Sequence, residues 1–151
     1  MLPFERYREK GRKLLGRPAA GDSTSRRGHG PAVFDECGMA CAYCGRKLDS
    51  PYEAWLAAST DYVIPHSLLW HARYSEWMED LANLVACCTA CEEFLADYRV
   101  EVPPPNGLED FFDMRDKVFL EKQQHILARH EQERDWYRRW VVPRLTMTDS
   151  D

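Results

Sequence analysis

Cys41-Ala-Tyr-Cys44-Gly45 and Cys88-Thr-Ala-Cys91 decide how this chain folds. Each C-x-x-C turns the backbone so that two sulfurs reach one ion about 2.3 Å away, and two pairs supply a tetrahedral zinc site. With 43 residues between the pairs, Cys41, Cys44, Cys88 and Cys91 are expected to hold a structural Zn2+ that staples the segment between them. Cys37 and Cys87 are left over. Exchanging either for its neighbour breaks a C-x-x-C pair, so both read as small buried thiols.

Between the pairs, residues 57–64 end in Tyr62-Val63-Ile64 before Pro65, which predicts a strand, with a turn or short helix over 50–56. Residues 66–80 alternate polar and aromatic and predict a loop with about one helical turn. Ala90, Phe94, Leu95 and Tyr98 space as a helix over 89–98. Three prolines at 103–105 break the chain. Beyond them Phe112, Phe119 and Ile126 recur at sevens within a long helix over 109–140, with acids in its first turn and Arg138-Arg139 in its last. Upstream, Phe4, Tyr7, Leu14 and Leu15 predict a short basic helix over 4–15, and the Gly-, Pro- and Ser-rich residues 16–31 predict a linker. The expected organisation is a basic arm and linker (1–31), a cysteine-bounded core (32–100), and a proline break with its helix (101–151).

The 151 residues suit one domain. A hydrophobic fraction of 44% and a charged fraction of 30% belong to a globular chain. No apolar run approaches the ~20 residues of a membrane span, and the N-terminus lacks a signal peptide's apolar stretch. A cytoplasmic setting, with no membrane partner, is therefore expected, and there paired cysteines favour metal over disulfide. The net charge of −5 is uneven: residues 1–30 carry +5, leaving −10 for the remainder. A basic arm on an acidic body suits a polyanion partner. Arg26, Arg27, Arg46, Lys47 and Arg73 are its candidate phosphate contacts.

Taken together, Cys41-Ala-Tyr-Cys44-Gly45, Asp61-Tyr62-Val63-Ile64-Pro65 and Asn83-Leu84-Val85-Ala86-Cys87-Cys88-Thr89-Ala90-Cys91-Glu92 resemble the HNH endonucleases, the ββα-metal nucleases of the four-cysteine zinc type. The resemblance spans about a third of the chain, with three motifs in the family's order. It implies an α+β fold: a zinc-stapled treble-clef ββα-metal core, here with a long C-terminal helix. It also implies DNA phosphodiester hydrolysis with a catalytic Mg2+ or Mn2+ on Asp61 and Glu92. Asn83 would brace the loop that orients the site, and residue 62 would be the general base.

Two positions depart from the family. Glu92 stands where Asn or His is usual, a tolerable exchange because carboxylates ligate hard cations well. Tyr62 stands where the base is a histidine. A phenol with a pKa near 10 is only about 0.1% ionised at pH 7, so Tyr62 is a poor proton acceptor. His66, four residues on past Pro65, and after it His71 are the candidate substitutes if the following loop folds back over the site; otherwise both read as surface loop histidines. His125 and His130, five apart on the long helix, do not share a face, and His29 is expected to be solvated. Trp70, Tyr74 and Trp77 read as packing rather than base-stacking residues. The rival expectation is an HNH-like nucleic-acid-binding or protein-interaction module without cleavage.

Overall fold

Tyr62 and Asp61 lie on β1 (Ala58–Tyr62), which pairs antiparallel with β2 (Leu84–Cys88), placing Asp61 opposite Val85 and Tyr62 opposite Leu84. In the computed structural model, residues 2–18 and 28–147 are described. Every residue of β2 is buried, as expected of a continuous apolar run with both faces covered. Helix α1 (Gly30–Glu36) packs on this hairpin. Its start was expected to be linker, but Pro31 lies in the first turn, where a missing N–H costs nothing. A short α2 (Tyr52–Leu56) leads into β1.

The connection between the strands is more helical than expected. It holds a 3-10 turn at His71–Tyr74, α3 (Ser75–Met78) and a second 3-10 turn at Leu81–Asn83. After β2, α4 (Thr89–Phe94) is shorter than its apolar spacing predicted. Helix α5 (Leu108–Trp140) follows the proline break, and α6 (Val142–Leu145) follows it in turn. The 33 residues of α5 span about 50 Å. Its buried side chains are Phe111, Phe112, Arg115, Val118, Phe119, Lys122 and Ile126, so its first half roofs the core. The fold is α+β, and no described helix is long and apolar enough to cross a membrane.

The expected helix over 4–15 is absent. Two 3-10 turns, Pro3–Arg6 and Arg8–Gly11, replace it, with left-handed backbone at Glu9 (φ 55°) and Lys10 (φ 58°). Packing overrides propensity here. Phe4 is buried edge-on to Phe119 and Tyr7, while the Arg115 guanidinium lies 3.6 Å from the Phe4 ring centroid. The reversal at Gly11 brings its backbone so close that an added Cβ would sit 2.8 Å from Phe4 Cβ. This segment is therefore part of the core. Its cations are largely engaged within the chain: Arg12 with Glu109, Asp113 and Asp116, and Arg17 with Glu79.

Candidate functional site

The first C-x-x-C sits in a tight hairpin in which Cys41 N–H donates to Arg46 O (2.8 Å), Gly45 N–H to Cys41 O (2.9 Å) and Leu48 N–H to Met39 O (2.9 Å). Gly45 takes φ 77°, a conformation that costs glycine nothing. Ala42 N–H donates to Ala86 O at 2.9 Å, docking this hairpin on β2. Cys88 ends β2 and Cys91 lies in α4, so strand, helix and hairpin converge. The sulfurs of Cys41, Cys44, Cys88 and Cys91 lie within 4.8 Å of one another, with Cys44 Sγ and Cys88 Sγ 3.8 Å apart. A tetrahedron with metal–sulfur bonds of ~2.3 Å has edges of about 3.8 Å, and a disulfide would need ~2 Å.

The thiols are strongly interdependent. Hydrogen bonds from Cys44, Cys87 and Cys88 hold Cys41 well below the usual thiol range, and bonding to Cys41 pushes Cys44 and Cys91 well above it. Four negative sulfurs cannot share this space without a cation among them. An all-sulfur donor set with tetrahedral spacing fits a structural metal. Cys37 stands apart: it accepts Ala86 N–H at 3.3 Å, and burial raises its thiol. His130 Nε2 lies 3.3 Å from Cys91 Sγ. Spacing along α5 gave no sign of this, because it depends on how α5 crosses α4.

Adjacent strand residues face opposite ways, and Asp61 and Tyr62 divide accordingly. Asp61 Oδ2 accepts a 2.5 Å hydrogen bond from Tyr43 Oη and a 2.9 Å bond from Lys122 Nζ, which also donates to Tyr62 O. The lysine is 4% exposed, so the carboxylate is neutralised inside the protein. Asp61 also lines a cleft of about 440 Å³ with Tyr98, Arg99, Glu101 and Lys122. Glu92 lies on the exposed side of α4. Among the described residues, neither acid belongs to a group of three or more metal-ligating side chains. With an ammonium already on Asp61, this pair does not fit a divalent ion as it stands.

On the other face the Tyr62 ring centroid lies 4.1 Å from that of His66, and His66 stacks on His71 at 4.5 Å. His71 Nε2 is 3.6 Å from Glu79 Oε1, while Glu79 Oε2 takes Arg17 Nη2 at 3.1 Å. Burial, then the negative Glu79, raises the Tyr62 phenol, which deepens its unsuitability as a base. Partial desolvation by its packed neighbours, then His71, lowers His66 below the ordinary imidazole value although the residue stays exposed, which favours its neutral form at pH 7. Asn83, fully buried, accepts from Ile64 N–H (3.0 Å) and donates to Ile64 O (3.0 Å) and Met78 O (2.8 Å). It thereby clamps both ends of the segment that carries His66 and His71.

Of the phosphate-contact candidates, Arg46 and Lys47 are exposed at the cysteine hairpin, and Arg73 is exposed beside Tyr74. Arg26 and Arg27 lie outside the described residues. His29 is not solvated as expected: its Nε2 lies 2.9 Å from Thr60 Oγ1. Tyr43, Lys122 and Glu79 were missed from sequence. Lys122 alone left a trace, as a charge on the stripe otherwise marked by Phe112, Phe119 and Ile126. Compared with protein-family models, curated proteins and solved structures, the chain matches none.

Proposed function

We propose that this chain is a zinc-stapled endonuclease of the HNH type, hydrolysing DNA phosphodiester bonds with water activated at the His66–His71 imidazoles instead of at residue 62. The cysteine hairpin, the β1–β2 pair and α4 are taken as a treble clef around Zn2+, and six unpaired thiols suit a reducing, cytoplasmic compartment. The supporting observation is the 4.1 Å contact between Tyr62 and His66. It puts a neutral imidazole beside the position where the resembled family keeps its base.

In this scheme an imidazole cluster takes a proton from water, the water oxygen bonds to phosphorus, and the phosphorus–oxygen bond to one deoxyribose breaks. The departing oxygen takes up a proton from solvent or from the protonated cluster. Tyr62, held as a neutral phenol, donates a hydrogen bond to a phosphate oxygen. Arg46, Lys47 and Arg73 supply positive charge for the backbone. No step runs through Asp61 and Glu92.

A second function, DNA binding without cleavage, is favoured by the Asp61–Lys122 ion pair, which occupies the carboxylate the resembled family uses for metal. Plasmid nicking separates the two. The chain and Tyr62→His are expected to nick plasmid DNA, and His66→Ala is expected to lose most of the rate. If the chain and Tyr62→His both bind DNA in a salt-dependent way but neither nicks, the non-cleaving module is correct.

A further inference from the structure

We propose that His66, His71 and Glu79 form a second metal centre, separate from the thiol cluster and selective for a divalent transition ion. Their ligating atoms lie within 4.8 Å of one another. Ligands bound tetrahedrally at about 2.1 Å sit ~3.4 Å apart; His71 Nε2 and Glu79 Oε1 are already at 3.6 Å, and the His66 nitrogen closes on them from no more than 4.8 Å. His71 Nε2 is buried and takes no hydrogen bond among the described residues, so a ring nitrogen aimed at Glu79 lacks what a metal would supply.

The surroundings are built as a metal site's outer shell is built. Arg17 holds the second oxygen of Glu79, leaving the first directed at His71. Asn83 ties Ile64 to Met78, which fixes the spacing of the histidines to Glu79 before any ion arrives. Two imidazoles and a carboxylate suit Zn2+, Mn2+, Fe2+ or Co2+ and disfavour Mg2+. His66 is exposed, so coordination positions stay open to water and to an anionic ligand.

The metal site rests on ligand geometry alone. Only its catalytic use rests on the nuclease proposal, in which a bound ion, by acidifying water, would take over from the bare imidazole that would otherwise accept water's proton. The full chain, with its cysteines already loaded with zinc, is titrated with Co2+ and followed by absorption. A further equivalent is expected to bind with nitrogen–oxygen ligand-field bands and no thiolate charge-transfer band. His66→Ala/His71→Ala should weaken it by more than about a hundredfold, beyond the usual loss from an outer-shell change, and Glu79→Gln should also weaken it. Unaltered zinc content and circular dichroism would show that each variant folds.

If the folded parent takes up no further Co2+, or if both variants bind it like the parent, the second centre does not exist. Should Co2+ bind as described while DNA stays intact, the centre stands and the nuclease proposal fails. Cleavage without further Co2+ binding would sink the centre and leave the imidazoles as bases.

Discussion

Lys122 shows how one side chain can redirect a motif. Its ammonium reaches Asp61 at 2.9 Å and Tyr62 O at 3.0 Å from a position 4% exposed. Removing one partner of a buried pair leaves the other charge uncompensated, which typically costs 3–5 kcal/mol. Lys122→Met is expected to lower stability by about 3 kcal/mol in urea unfolding, and Asp61→Asn beside it to recover most of that loss. A double variant no more stable than Lys122→Met would mean that the pair is not coupled. At this scale the sequence was informative about residue type and poor about company. The four cysteines announce themselves because a metal demands a local spacing. That Asp61 faces a lysine 61 positions away, and Tyr62 a pair of histidines, depends on how α5 and the 64–78 segment fold back.

Asp80 does comparable work between elements. Almost fully buried, it accepts from Leu15 N–H, Gly16 N–H and Ala82 N–H, each at 2.8 Å. One carboxylate thus caps the 3-10 turn at Leu81–Asn83 and pins the N-terminal segment beside it. Asp80→Ala is expected to cost about 3 kcal/mol, given three hydrogen bonds to a charged group, and to expose residues 2–18 to limited proteolysis; a variant as protease-resistant as the parent would refute this. His29, against Thr60 of β1, gives the hairpin a pH dependence. Burial lowers its pKa below the ordinary 6.5, so the unfolded chain binds the proton more readily. That contribution to stability is complete above pH 6.5 and is lost as pH falls through it toward the lowered value. His29→Gln should flatten the decline in urea midpoint between about pH 7.5 and 5.5; an unchanged slope would assign the decline elsewhere. Element types were legible where a period was long, as over α5, or bounded by punctuation, as in β1. The N-terminal turns were not, because Phe4 and Tyr7 obey the core and not the helix period.

Across the whole molecule, α5 divides into two halves of different character. Up to Ile126 it is core, whereas residues 131–147 are exposed throughout, Trp136, Trp140 and Leu145 included. Ending the chain after His130 is therefore expected to lower the unfolding free energy, measured in urea, by no more than the ~0.5 kcal/mol usual for surface changes. A larger loss would show that the outer half supports the fold. The expected division into arm, core and helix followed composition, yet Phe4 packs on Phe119 of α5 and on Arg115, so the hydrophobic interior joins the first and last segments. The same helix also sorts the chain's chromophores. Of its five tryptophans, Trp136 and Trp140 stand 53% and 46% exposed, while Trp55, Trp70 and Trp77 are half-buried. Native emission will already contain the red light of wetted indoles, and iodide will dim that fraction first. A dye-free unfolding curve will then report the interior only in its blue edge.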